Sequence, residues 1–141
     1  MHDPEMTRMP QMVYWVEWKN PEDEMLGIGV RAQNELFSGV GFFRCWGHQL
    51  AELAQLLYAF PSQPGDERSV QPPLQEPIWL GLKAIDSRGH CVATITIVHE
   101  SGDRAQVRFA VEPAAIDRFL AQVKSMARSG QGTAVLEGSS C

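Results

Sequence analysis

The chain has 141 residues, of which 44% are hydrophobic and 21% are charged, and its formal net charge is −5. A chain of this length and composition fits one globular domain that buries a core without disulfides or a structural metal. The acidic balance, with no dense stripe of Lys and Arg, argues against nucleic-acid binding. No apolar run approaches the length of a membrane span, so we expect no membrane association.

The cysteines and the N-terminus predict a cytoplasmic protein. The chain has three cysteines, Cys45, Cys91 and Cys141, and an odd number at these spacings fits no disulfide framework. The opening residues, MHDPEMTRMP, lack the apolar segment of a signal peptide. A reducing compartment is the simplest setting for such a chain.

The first half of the chain reads as three strands followed by a helix. After a flexible tail at 1–10, alternating or β-branched segments predict strands, and a three-and-four spacing of apolar residues predicts a helix that Pro61 ends. The predicted elements are strands at 12–18, 25–33 and 36–45 and a helix at 48–60, with Gly47 as its N-cap.

The second half repeats this order after a proline-rich loop. Residues 61–77 hold five of the nine prolines, which predicts an extended connection. The following elements are strands at 77–85, 91–98 and 105–111, a helix that opens at Pro113, and a disordered tail at 129–141. Gly89 lies in the turn Asp86-Ser87-Arg88-Gly89, where a hairpin needs positive φ.

An internal repeat predicts the architecture. When the second half is moved back by 66 positions, Phe109 falls on Phe43 and Ile116 falls on Leu50. Two βββα repeats, at 11–60 and 77–128, therefore form a single α+β domain. Because short turns join consecutive strands, we expect one six-stranded antiparallel sheet with two helices on one face.

The alternation of residues along the strands predicts which side chains point away from the helices. If Met12, Tyr14, Val16 and Trp18 face the helices, the opposite face carries aromatic and charged residues that could bind a partner. The candidate anchors are Trp15, Phe42, Arg44, Trp79 and Lys83. The same residues could instead form a second small core under the loop and tails, or a small-molecule groove, and a slip of one residue would invert the assignment.

Two groups of residues raise the alternatives of catalysis and metal binding. Cys45 lies just before the predicted helix and His48 in its first turn, so the pair could act as a nucleophile and its base in a small cysteine-dependent enzyme. Cys45 with His48, or His90 and Cys91 with His99, could also hold a metal. Cys45 aligns with Val111 in the repeat, which favours a structural cysteine. We therefore expect no catalytic residues, no metal and no cofactor.

Part of the chain resembles a bacterial protein family. The segments EPIWLGLKAIDSRGHCVATITIV and VRFAVEPAAIDRFLAQV, within residues 37–126, resemble small proteins of the WapI-like immunity group and related domains of unknown function. The matching residues, from Glu76 and Trp79 to Phe109 and Ile116, are mostly core positions. The resemblance implies a cytoplasmic, non-enzymatic protein that binds and neutralises a cognate toxin, and it carries over no functional residue.

The sequence thus favours a non-catalytic protein-binding module that acts by occlusion. Its partner would be a cognate toxin or a second copy of the chain. The alternatives are the cysteine-dependent enzyme and a ligand-binding module that uses the aromatic sheet face.

Overall fold

The computed structural model describes residues 9–72, 77–86 and 88–139. Most of the predicted N-terminal tail lies outside these residues, as do Glu76, Ser87 and Cys141. The α+β class is confirmed: the described residues form eight strands and two helices. In chain order these are β1 (Gln11–Lys19), β2 (Leu26–Gln33), β3 (Ser38–Cys45), α1 (Gly47–Leu56), β4 (Glu67–Val70), β5 (Ile78–Ala84), β6 (Cys91–Val98), β7 (Arg104–Val111), α2 (Pro113–Ser129) and β8 (Thr133–Glu137).

The strands form two sheets, and the prediction of a single six-stranded sheet is wrong. One four-stranded sheet has the order β3-β2-β1-β8 and the other has the order β4-β5-β6-β7. Every pair of neighbouring strands is antiparallel. The three strands of each repeat stay together because short turns join them. The two triplets do not pair edge to edge, and each one adds a fourth strand from the other repeat.

The repeat extends to a fifth element. Ser38 and Arg104 begin β3 and β7, 66 positions apart, and the same separation relates Gly47 to Pro113 at the starts of α1 and α2. It also relates Glu67, which begins β4, to Thr133, which begins β8. Each half of the chain therefore follows the order βββαβ.

The fifth strands cross between the repeats. β4 follows α1 but pairs with β5 of the second repeat, and β8 follows α2 but pairs with β1 of the first. The predictions of an extended loop at 61–77 and a disordered tail at 129–141 did not include the strands at 67–70 and 133–137. β4 and β8 are short, and apolar residues alternate only weakly along them. They form strands because they pair with β5 and β1.

The inner faces of both sheets and the buried faces of both helices share one core. The alternation predicted for β5 and β6 is confirmed, since Leu80, Leu82, Ala93 and Ile95 are all buried. At the centre, the Tyr14 ring lies edge-on to Phe43 and to Phe119, with ring centroids 5.4 and 5.3 Å away. Such edge-to-face contacts add to the stabilisation that burial provides.

Glycines allow the layers to approach closely. A Cβ built on Gly39 would lie 2.8 Å from Cβ of Ala105, and one on Gly41 would lie 2.9 Å from Cδ1 of Ile78. These two glycines therefore lie where the second sheet packs against β3. The nearest atom to a Cβ on Gly47 would be the carbonyl oxygen of Ala127, at 2.6 Å, so the start of α1 packs against the end of α2.

Helix α1 is shorter than predicted and has a different cap. Trp46 is the N-cap, and its N–H donates to the side-chain oxygen of Gln49. The helix ends at Leu56 rather than at residue 60, with Leu57 as its C-cap, and Ala59 beyond it adopts a positive φ of 58°. The Arg68 guanidinium donates to the carbonyl oxygens of Leu56 and Tyr58, which anchors β4 to the end of the helix.

Candidate functional site: an aromatic sheet face and its groove

Two tryptophans of β1 lie flat on glycines of β2, on the outer side of the first sheet. Trp15 is paired with Gly29 and Trp18 with Gly27. A Cβ at either glycine would overlap the indole above it, since the nearest ring atoms are 2.2 and 2.3 Å away. The missing side chains therefore make room for the rings, and the rings cover backbone that glycine would leave bare.

A bulge in β1 reverses the predicted orientation of Trp18. The register of the pair β1–β2 shifts between Val16 and Trp18, so that Glu17 is the extra residue. After a bulge the alternation of side chains changes face. Trp18 consequently points outward instead of into the core, whereas Met12 and Tyr14 are buried as predicted.

Part of the outer side of the first sheet is apolar and exposed. We call the surface formed by Trp15, Trp18, Val40 and Phe42 the aromatic face. Trp15 is half-buried, while Trp18, Val40 and Phe42 keep 41%, 67% and 36% of their surface exposed. The Trp18 and Phe42 rings are neighbours, with centroids 6.2 Å apart.

The hairpin between β2 and β3 carries two further exposed apolar residues, Leu36 and Phe37, at its tip. The Asn34 side chain accepts hydrogen bonds from the N–H groups of both residues, which fixes the turn. Contiguous exposed apolar residues, such as Trp18 and Phe42, mark interaction sites more often than scattered ones do.

A groove of about 650 Å³ runs from the aromatic face to the end of the second sheet. One wall holds Trp15 and the β3 residues Val40, Gly41 and Phe42. The other wall is formed by the start of β5 and by the end of β6 with the turn after it. The residues of that wall are Pro77, Ile78, Ile97, Val98, His99 and Glu100, and Glu17 completes the lining. The groove therefore has an apolar floor and two carboxylates, those of Glu17 and Glu100.

The structure divides the five predicted anchor residues between two surfaces. Trp15, Phe42 and Arg44 lie on the outer side of the first sheet, and Trp15 and Phe42 line the groove together. Trp79 and Lys83 lie on the outer side of the second sheet, on β5. The prediction of one continuous face is wrong, because it depended on a single six-stranded sheet.

The surface around Lys83 differs in chemistry from the aromatic face. Lys83 lines a second hollow, of about 580 Å³, together with Glu67, Arg68 and Arg108. The Lys83 ammonium lies 3.8 Å from the Glu67 carboxylate, and both side chains are exposed. An exposed pair of this kind contributes little to stability. This hollow combines four charged side chains with apolar ones, and none of the described residues that line it is aromatic.

The structure does not favour the pair of Cys45 and His48 as a nucleophile and its base. Cys45 is fully buried at the end of β3, whereas His48 is exposed in the first turn of α1. Burial raises the pKa of the Cys45 thiol from 9.0 to about 12. A thiol with this pKa holds almost no thiolate at neutral pH.

His90 and His99 make hydrogen bonds within turns. His90 Nδ1 lies 2.6 Å from the Asp86 carboxylate, and this hydrogen bond lowers the pKa of Asp86. His99 Nδ1 is 2.9 Å from the Ser101 hydroxyl, within the turn between β6 and β7. In the part of the chain that the structure describes, no three side chains of His, Cys, Asp or Glu are grouped so that they could hold a metal ion.

Sequence reasoning missed Trp18, His99 and Glu100 as members of this surface. The sequence did contain a signal for Trp18. The two glycines of β2, Gly27 and Gly29, leave room for two tryptophans of the neighbouring strand on one face of the sheet. His99 and Glu100 gave no signal of their own, because the fold alone brings their turn against β3.

The chain matches no protein-family model, no curated protein and no solved structure. Among the residues that the structure describes, neither helix is long and apolar enough to cross a bilayer.

Proposed function

We propose that this chain is a protein-binding module that recognises its partner through the aromatic face and acts by occluding it. The observation that carries the proposal is the exposure of Trp18, Val40 and Phe42 beside the half-buried Trp15. A monomeric protein rarely leaves such residues contiguous on one sheet face. Aromatic side chains backed by a rigid sheet are also typical anchors of protein interfaces.

The kind of partner is suggested by the resemblance to WapI-like immunity proteins. Under this proposal the partner is a toxin, and binding covers the toxin's working surface. The test is co-expression of the chain with the product of the adjacent gene. We expect the two proteins to co-purify and growth inhibition by the neighbour to be relieved. Growth inhibition without rescue or co-purification would remove the immunity interpretation.

Single substitutions test which surface binds. We expect Phe42→Ala to weaken partner binding at least about tenfold, because it removes an anchor side chain from the interface. The melting temperature should change by no more than about 4 °C, because the side chain is partly exposed and the loss in stability should not exceed about 1 kcal/mol.

Two variants serve as controls for Phe42→Ala. Leu56→Ala removes a comparably apolar, exposed residue from α1, and Trp79→Ala removes an aromatic from the outer side of the second sheet. Both should bind as the unaltered chain does. If Trp79→Ala weakens binding and Phe42→Ala does not, the binding surface is on the second sheet and the proposal is wrong.

A second candidate function is the binding of a small apolar molecule in the groove. It is favoured by the volume of the groove, which suits a ligand of ordinary size, and by its apolar floor. A blue shift of tryptophan emission with a metabolite extract freed of protein, abolished by Trp15→Phe, would favour this candidate over the first.

A further inference from the structure

Four strands lie at the edges of the two sheets: β3 and β8 in the first, β4 and β7 in the second. An edge strand carries backbone N–H and C=O groups that can pair with another chain, and proteins usually cover or interrupt such edges. The four edges of this protein differ in how they are protected.

Three of the edges are covered or short. On β8 the N–H of Val135 donates to the side-chain oxygen of Gln122 on α2, at 2.7 Å. On β7 the carbonyl oxygen of Arg108 accepts from the Asn34 side chain at 3.1 Å, and that of Ala110 accepts from the Ser139 N–H at 2.8 Å. The edge strand β4 has only four residues, and short edge strands offer little to pair with.

Within the described part of the chain, β3 lacks these protections. It is eight residues long, contains no proline and has its only charged residue, Arg44, next to its end. Between described residues, no hydrogen bond from outside the sheet reaches the backbone of 38–43. Its outward side chains Val40 and Phe42 are exposed. A strand of this length and composition is suited to accept a further strand.

The groove runs along this same edge. Val40 lines it from the outer side of the first sheet, and Ile78 lines it from the inner side, where its Cδ1 lies 2.9 Å from a Cβ built on Gly41. A groove that reaches both sides of an edge strand passes along its edge. An added strand would therefore lie between β3 and the wall that Pro77 and Val98 form.

The charges around the groove indicate the chemistry of that strand. Glu17 and Glu100 are exposed at the groove, and none of the described residues that line it is Lys or Arg. The exposed Arg31 and Arg44 lie on the same side of the first sheet but outside this lining. Its remaining side chains are apolar except His99, whose Nδ1 lies against Ser101. Complementarity therefore calls for an extended segment that carries apolar side chains on one side and Lys or Arg nearby.

We propose that a cationic, apolar extended segment of a protein partner pairs with β3 as a fifth strand of the first sheet. Its apolar side chains contact Trp15, Phe42 and Val98, and its cations lie near Glu17 and Glu100. This inference rests on the proposed function and specifies the mode of binding.

Three synthetic peptides, each as long as the eight residues of β3, test the pairing. The first alternates Lys with Val and Phe. The second carries Glu in place of Lys. The third keeps the side chains of the first but carries N-methyl groups on backbone amides along both of its edges, so that neither edge can pair with β3. We expect the first to bind and to slow amide hydrogen exchange in β3 but not in β8. The other two should bind at least about tenfold more weakly, a loss of about 1.4 kcal/mol.

A pair of variants locates the binding site. Val40→Lys places a cation on the exposed side of β3 and should weaken binding of the first peptide at least about tenfold, because like charges repel. Ile85→Lys alters a comparably exposed apolar residue beside the second hollow and should bind as the unaltered chain does. Both variants should retain the melting temperature of the unaltered chain.

Several results would overturn the inference. Equal binding of the N-methylated peptide would mean that side chains alone are recognised, and equal binding of the Glu peptide would remove the charge argument. Absence of binding by the first peptide, or binding without protection of β3, would also reject strand addition. The proposed function is tested separately: a partner that depends on Phe42 but leaves exchange in β3 unchanged would preserve protein binding and reject pairing at this edge.

Discussion

At the scale of single residues, tryptophans paired with glycines across two strands shape the outer side of the first sheet. Trp15 fits over Gly29 and Trp18 over Gly27, so that each indole rests on backbone instead of standing out in solvent. A side chain at either glycine would displace the ring above it. The aromatic face is therefore held in position by β2, a strand that contributes no aromatic residue of its own.

Cys45 provides a prediction about pH at the same scale. Burial keeps the thiol protonated in the folded chain up to a pKa of about 12, while the unfolded chain releases the proton near 9.0. The stability due to this group is complete below pH 9 and decreases between about pH 9 and 12. The slope from one group is at most about 1.4 kcal/mol per pH unit.

The measurement is urea unfolding of the unaltered chain and of Cys45→Ala at several values between pH 8 and 11. The variant should be less stable at pH 8, because it leaves a small cavity, but its stability should decrease less steeply with pH. Parallel curves for the two proteins would contradict the prediction. The comparison removes the contributions of groups that titrate in this range independently of Cys45.

At the scale of secondary-structure elements, α2 protects the edge strand that follows it. Gln122, in the middle of α2, accepts a hydrogen bond from the N–H of Val135 on β8. The inward residues Ala134 and Leu136 of β8 are fully buried. The helix thus covers one edge of the first sheet, and β3 remains as the opposite edge.

We expect Gln122→Ala to destabilise the fold by about 1 kcal/mol, because a backbone donor on the protected edge loses its acceptor. Amide exchange at Val135 should become faster, which hydrogen exchange followed by NMR would detect. Gln122→Glu is the matched control, since its carboxylate oxygen can still accept the bond. Equal exchange at Val135 in all three proteins would show that the side chain does not protect this edge.

At the scale of the whole molecule, the exchange of β4 and β8 makes the two halves of the chain interdependent. Each half supplies the strand that completes the other half's sheet. Neither half has a four-stranded sheet of its own, and both contribute to one core. The arrangement resembles a strand-swapped dimer within a single chain.

This interdependence predicts that a split protein reassembles. Fragments 1–72 and 73–141 should each be largely unfolded alone, because each lacks a strand and half of the core. On mixing, they should form a one-to-one complex with the circular dichroism spectrum of the intact chain. A second fragment that stops at residue 132, without β8, should fail to restore the spectrum. Cooperative unfolding of fragment 1–72 by itself would contradict the prediction.

The sequence by itself determined the elements that local pattern controls. Six strands, two helices and the inward positions of residues such as Tyr14, Leu80 and Ile95 follow from alternation and helical spacing, because those patterns reflect which side of each element leaves water. The internal repeat, with its separation of 66 positions, could also be recognised from the sequence. Outward positions for Trp15 and Phe42 followed from the same alternation, so part of the candidate site was predictable.

The tertiary structure decided how those elements combine. Whether the two triplets of strands form one sheet or two depends on β4 and β8, whose few residues become ordered by pairing with strands distant in the chain. The groove depends on the close approach of the sheets at Gly39 and Gly41, and the position of Trp18 depends on a bulge. Pairing and packing between distant segments are set by the free energy of the whole fold, which no local pattern records.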